Sequence, residues 1–266
     1  MGTRVELLVI DPQIDFCDPA GALYVPGAEH DMRRLAEMVR RLKGKLDDVH
    51  VTLDSHHPVH IAHPIFWMDA AGAHPAPFTT IAAADVADGR WTTTQPGTYR
   101  RALEYVRELE RNGRYQLTIW PPHCLIGSPG HAVYPALFDA LCEWERDRFA
   151  VVDYVTKGSN VWTEHYSAVQ ADVPDATDVS TQINTDLIRT LEKADVVAIA
   201  GEALTHCLAN TVTDIANNFG DDSYVRKLVL LTDASSGIPG FEPFARDFLD
   251  RMQARGMQRA TTADFL

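Results

Sequence analysis

Short, almost uniformly apolar runs alternate along the chain with longer segments whose apolar residues recur at helical spacing. Val5–Ile10 (VELLVI), 49–53 (VHVTL), 117–120, 150–155 (AVVDYV), 196–200 (VVAIA) and 228–231 (LVLL) read as strands. Between them, residues 31–46 place Leu35, Met38, Val39, Leu42 and Leu46 on one helical face. Further helical stretches are expected over 97–111, 132–147, 181–193, 205–218 and 242–255. Pro135 is tolerable in the first turn of its helix. Near-continuous apolar strands mean burial on both faces. This predicts an α/β fold: a mostly parallel six-stranded sheet with helices on both faces, joined by right-handed crossovers.

Two segments break the alternation. Residues 57–96 are rich in Pro, His, Ala and Gly, and residues 167–180 are rich in Asp. Neither has the pattern of a separate core, so residues 1–266 read as one domain carrying two insertions. At 266 residues and 45% hydrophobic content the chain can bury a sizeable core without staples. Lys plus Arg number 24 against 37 Asp plus Glu, a balance that disfavours nucleic acid and anionic membranes as partners. No apolar stretch reaches a membrane span, and the N-terminal apolar run is too short for a signal peptide and lacks its cleavage site. Cys17, Cys124, Cys142 and Cys207 form no CxxC pair, which points to a reducing cytoplasm and to thiols free for chemistry.

Candidate chemistry lies at the strand ends. In an open α/β sheet, ligands bind beyond the carboxyl ends of the strands. There the sequence places Asp11, then Asp54 and His56, Trp120 and His123, Lys157, His206 and Cys207, and Asp233. Cys207 opens a helix after a Gly-led turn, a position where unsatisfied N–H groups favour a thiolate and can hold an oxyanion. It is equally at home as a small core residue. Asp11 is placed to take a thiol proton or to cap its turn. Lys157 is placed to hold that acid's charge or to sit in solvent. Asp54 and His56, two residues apart in extended chain, face the same way. With His123 they make a one-carboxylate, two-imidazole set suited to a divalent ion. His60 is a further candidate, and His57, His63, His74 and His131 are spare ones among 11 histidines.

Five motifs occur in order: DPQIDFC at 11–17, TLDSHHPVH at 52–60, WPPHCLIGSPG at 120–130, YVTKG at 154–158 and GEALTHCLANT at 201–211. Together they span most of the chain and resemble the isochorismatase-like cysteine hydrolases, specifically their nicotinamidase/pyrazinamidase branch. The resemblance implies a catalytic triad of Asp11, Lys157 and Cys207, and an oxyanion hole from the N–H groups of Ala203 and Cys207, with a cis peptide at Glu202–Ala203. It also implies a divalent ion held by Asp54, His56 and His123, with His60 matching a fourth histidine of some members; zinc leads, with iron or manganese as alternatives. Phe16 and Trp120 match residues that sandwich a pyridine ring, and Tyr166 a pocket tyrosine. The implied activity is deamidation of nicotinamide to nicotinic acid and ammonia through a thioester, a step of NAD salvage, by a homo-oligomer whose partner is a small carboxamide. The DxH and WPxH pattern separates this branch from relatives lacking the metal set. Ser55 stands where an aromatic is frequent and Val169 where Phe often stands. The alternatives are a hydrolase of another small carboxamide, a non-catalytic metal- and ligand-binding homologue, and a metallohydrolase with an idle thiol.

Overall fold

The computed structural model describes residues 2–266. Its centre is a six-stranded, all-parallel sheet built from β1 (Val5–Ile10), β2 (Asp48–Asp54), β7 (Asp153–Lys157), β8 (Val196–Gly201), β9 (Leu228–Leu231) and β10 (Gln258–Ala260). The strand order is β10-β9-β8-β1-β2-β7. β1 is buried at every position and pairs with β8 from Val5↔Val196 to Ile10↔Gly201. Edge strand β7 exposes most of its residues, which is why its sequence is less apolar than that of the centre. The chain runs from β1 outward to β2 and β7, crosses back to β8, and continues outward to β9 and β10. The direction therefore reverses between β1 and β8, the place where a ligand crevice opens in such sheets.

Right-handed crossovers put α2 (Ala28–Leu42) and α5 (Pro135–Arg148) on one face. The same rule puts α6 (Thr185–Lys193), α7 (Cys207–Asn218) and α8 (Glu242–Arg255) on the other. α2 packs against α5 and α7 against α8. α2 buries Met32, Leu35, Met38, Val39 and Leu42, the stripe its periodicity requires. A short α1 (Ile14–Cys17) follows β1. Among the described residues no helix is long and apolar enough to cross a membrane.

The third expected strand is a correction. Residues 117–120 do not join the sheet. Only β6 (Leu117–Thr118) is extended, and it pairs antiparallel with β4 (Thr80–Ile81) within residues 57–96. The amides of Ile119 and Trp120 bond Thr79 and Ala62 instead, and Pro121 and Pro122 have no N–H for a ladder. The sixth sheet strand is β10, whose three residues, Gln-Arg-Ala, are too short and polar to register as a strand by pattern. The same segment also carries β3 (Trp67–Met68) paired with β5 (Thr92–Thr93), and α3 (Ala83–Ala87), which packs on α4 (Tyr99–Asn112). The strand expected at 150–155 starts three residues later and ends two later, so Lys157 is its last residue rather than a loop residue.

Candidate active site and metal cluster

At the reversal point, the ends of β1, β2, β7 and β8 bring four of the expected groups together. The Lys157 ammonium lies 2.8 Å from Asp11 Oδ2, 3.1 Å from Asp54 Oδ1 and 3.6 Å from Cys207 Sγ. All four side chains are buried. Register delivers part of this: Asp54 is the direct partner of Lys157 on adjacent strands. Asp11 sits at φ 43° and is held in that sparsely populated region by Thr52, whose hydroxyl accepts from its N–H at 3.0 Å and donates to Oδ1 at 2.6 Å. Gln13 clamps the end of β2 through both Asp54 main-chain groups, each at 2.7 Å. Gly158 lies at φ +84°, where a Cβ would come within 2.7 Å of Asp54 Oδ1. Thr52 and Gln13 carry no motif-level chemistry, and sequence reasoning passes over them.

Burial is the largest influence on the Cys207 thiol, and with Asp11 and Asp54 it outweighs Lys157, so the group is held well above its ordinary value. The helix N-terminus therefore does not yield a resting thiolate, contrary to the reading from position alone. Burial also dominates at Asp11, where it and Asp54 outweigh Lys157 and raise the carboxyl. Burial works to raise Asp54 too, but the neighbouring His56, Lys157 and His123 hold it well below the usual range. Lys157 is driven down by burial but more strongly up by Asp11, Asp54 and Cys207, and stays charged. A neutral thiol beside a raised carboxylate, with a fixed cation between them, is an arrangement for moving one proton.

The Glu202–Ala203 peptide is cis. Cys207 is the first residue of α7, so its N–H has no acceptor within the helix. The preceding turn is closed by His206 and Leu208, whose N–H groups both donate to the Ala203 carbonyl. Gly201, at φ +112°, has no room for a Cβ against the Ile10 carbonyl.

Two groups of possible ligands share His56: Asp54, His56 and His123 form one, and His56, His60 and His63 the other. His123 arrives without a sheet strand: residues around Leu125 make a parallel bridge to His56, with His56 N–H bonding the Cys124 carbonyl. Three of the four imidazoles share a geometry. Nδ1 of His56, His63 and His123 faces the carbonyl of Gly158, Pro58 and Pro121 at 3.2, 3.1 and 2.8 Å. A proton on each Nδ1 leaves Nε2 as a lone pair, the arrangement of metal-ligating histidines. Nε2 of His56 and His123 lie 2.9 and 3.4 Å from Asp54 Oδ2. Nε2 of His63 is buried with no partner. His60 differs. Its Nδ1 accepts from the Ala62 N–H at 3.2 Å and its Nε2 faces the Thr163 carbonyl at 3.2 Å, so neither ring nitrogen is without a partner. Buried donors, one carboxylate and unpartnered nitrogen fit a divalent cation. Glu164, unremarkable in the sequence, is buried 3.4 Å from His60 Nδ1, its carboxyl raised by burial and then by Asp54 and Asp172.

Phe16 packs edge-on to His123 at 5.3 Å between ring centroids. Trp120 donates its indole N–H to Tyr166 Oη at 3.0 Å and meets His206, the neighbour of Cys207, edge-on at 5.4 Å. Asp233 does not join the site; its carboxylate binds the N–H and hydroxyl of Thr262, both at 2.7 Å. His57 and His74 are exposed, and His131 bonds Ser55 at 2.8 Å.

No protein-family profile matches the chain, and no curated protein sequence does either. Solved structures do. An Acinetobacter baumanii nicotinamidase/pyrazinamidase is 22% identical with a TM-score of 0.66, covering 100% of both chains. The yeast nicotinamidase is 19% identical at TM-score 0.66, covering 96% of this chain and 99% of its own. A Pyrococcus horikoshii pyrazinamidase, solved in complex with zinc, is 21% identical at TM-score 0.57, covering 97% of this chain and 99% of its own. At these identities the likeness establishes the fold, that of the isochorismatase-like nicotinamidase structures.

Proposed function

We propose that this protein is a cysteine amidohydrolase that converts nicotinamide to nicotinic acid and ammonia. The observation that carries the reading is the contact of Lys157 with Asp11, Asp54 and Cys207 at the reversal point of the sheet, where one buried cation joins a base, a nucleophile and the edge of a histidine cluster. The nicotinamidase structures that share the fold support the choice of substrate.

Because the resting thiol is neutral, attack requires a base. Asp11 takes the Cys207 proton as Sγ bonds to the carboxamide carbon, and the carbonyl π electrons move to oxygen. The N–H groups of Ala203 and Cys207 receive that oxyanion, a contribution of about 3 kcal/mol per donor in other systems. The intermediate collapses with cleavage of the C–N bond, and Asp11 returns the proton to the departing ammonia. A water then gives a proton to Asp11 and its oxygen to the thioester carbon. The acid is released, and the proton returns to Cys207. Lys157 keeps Asp11 ionised at the start of each half-reaction. Phe16 and Trp120 would hold the ring from either side, with Tyr166 orienting Trp120. Asp54, His56 and His123, with His63, would hold a divalent ion, which when bound supplies a Lewis-acid site for the pyridine nitrogen.

The test is ammonia release from nicotinamide by the parent, Cys207→Ala and Asp11→Asn, with and without chelator. The parent is expected to turn over and both variants to lose activity on the order of a thousandfold or more. A parent inert on nicotinamide, pyrazinamide and simple aliphatic amides sinks the assignment. Activity surviving in Cys207→Ala removes the thioester.

A further inference from the structure

Glu202 precedes the cis peptide and lies on the same turn as Ala203 and Cys207. It is fully buried, as is Asp31 on α2, apart from 3% of the latter's surface. Glu202 Oε2 accepts from the Ser236 N–H at 3.1 Å, and the main chain around it is bonded in two places: Glu202 N–H to the Ile10 carbonyl at 2.7 Å and Leu204 N–H to the Ser236 carbonyl at 2.7 Å. Glu202 Oε1 and Asp31 Oδ2 have no donor. The start of α2 packs on the same loop that Glu202 bonds: a Cβ on Gly27 would lie 3.2 Å from Ser236 Oγ, and Arg34 donates to the Asp233 carbonyl at 2.6 Å. This brings Asp31 to Glu202 as its side-chain hydrogen-bond partner, and two carboxylate oxygens bond only when one carries a proton.

We propose that Glu202 and Asp31 share one proton as a carboxyl–carboxylate pair, and that this bond positions the turn presenting the Ala203 N–H and Cys207. A single proton satisfies both orphaned oxygens. It ties the turn after β8 to α2, across from the Ser236 bond, so the turn is held from two sides. The surroundings favour retaining that proton. Glu29 on α2 and Cys17 on α1 face the pair, and Arg34, bonded to the other oxygen of Asp31, is the cation beside it. Burial, with Asp31 next, holds the Glu202 carboxyl well above its usual range. Glu202 touches neither substrate nor thiol in this account; it is a positioning residue. Its catalytic consequence rests on the proposed amide hydrolysis, but the shared proton does not.

Glu202→Gln keeps an acceptor for Ser236 and supplies a permanent N–H donor to Asp31, copying the protonated acid at every pH. A carboxyl raised on folding costs stability as pH rises above its unfolded value, so the melting temperature of Glu202→Gln is expected to gain on the parent as pH rises. Its kcat is expected to hold to higher pH than the parent's. Glu202→Leu removes both bonds; kcat is expected to fall on the order of tenfold or more with KM unchanged, and Gln to rescue it. If the parent hydrolyses no amide, the pH dependence of Cys207 alkylation by iodoacetamide, mapped by mass spectrometry, replaces turnover, and the melting comparison still reads the proton. A flat difference between Glu202→Gln and the parent across pH overturns the shared proton. An unchanged kcat in Glu202→Leu, or an unchanged alkylation profile where alkylation is the readout, overturns the positioning role. Should the Leu variant fail to fold, the Gln comparison decides alone.

Discussion

Replacing Lys157 by Met keeps the length and apolar stem of the side chain and deletes its charge. At 2.8 and 3.1 Å from two carboxylates, the ammonium gains about 5–6 kcal/mol from each at an effective dielectric near 20. Desolvation of the buried groups offsets much of that, and breaking a buried pair from one side costs about 3–5 kcal/mol. That is a large part of the roughly 5–15 kcal/mol that holds a typical domain folded. Urea unfolding in the presence of chelator should therefore show Lys157→Met less stable by about 3–5 kcal/mol at neutral pH. The deficit should shrink as pH falls, because an unpaired buried Asp11 with a raised value escapes the cost by taking a proton. Asp11→Asn in the same chain should return stability without returning activity, since it removes the uncompensated charge and the base together. A single variant within about 1 kcal/mol of the parent, or a double variant no more stable than the single, would refute the claim that this cation compensates the charge of the buried acids.

Two further outcomes follow from the histidines. His63→Ala should weaken zinc binding about 10–100-fold, read by competition with a chromophoric chelator, while His60→Gln should leave it nearly unchanged; the reverse ranking would show that His60 supplies the ligand. At the opposite end of the sheet, His50 stands between Asp153 Oδ2 at 2.9 Å and Glu6 Oε2 at 3.4 Å, and these acids outweigh burial to raise it. The stability it contributes is full below the ordinary value and lost as pH rises through the raised one, so His50→Gln should flatten the fall in urea midpoint between roughly pH 6 and 8, and parallel pH slopes would refute the ion pairs.

Much of the architecture is local in origin and hence legible. β1 and β9 fall where VELLVI and LVLL place them, and α8 spans the expected 242–255, because burial on both faces of a strand or one face of a helix writes itself as periodicity. The errors have local causes as well. Leu117–Trp120 has strand composition but is followed by two prolines, and its remaining hydrogen-bonding groups are taken by the insertion. Gln258–Ala260 reads as polar yet extends the sheet edge, where one neighbour suffices.

At the site the division runs along the same line. Strand ends determine which residues can meet, so Asp11, Asp54, His56, Lys157 and Cys207 are recoverable from pattern and from the ordered motifs. What a group does once there depends on atoms distant in sequence. His60 and His63 lie three residues apart in one histidine-rich run; Nδ1 of His60 accepts from the Ala62 N–H whereas Nδ1 of His63 faces the Pro58 carbonyl, so of these two only His63 keeps a free Nε2 lone pair. Cys207 sits at a helix start, which by itself favours thiolate, yet burial beside Asp11 and Asp54 keeps it protonated. Glu202 and Asp31 are 171 positions apart, and nothing near either one in sequence signals a shared proton. Sequence alone determined the α/β layering, its reactive edge and the residues placed there; which segments complete the sheet, the protonation of Cys207 and the surroundings of His60 and His63 were decided by tertiary contact, because electrostatic and hydrogen-bond energies depend on distance through space.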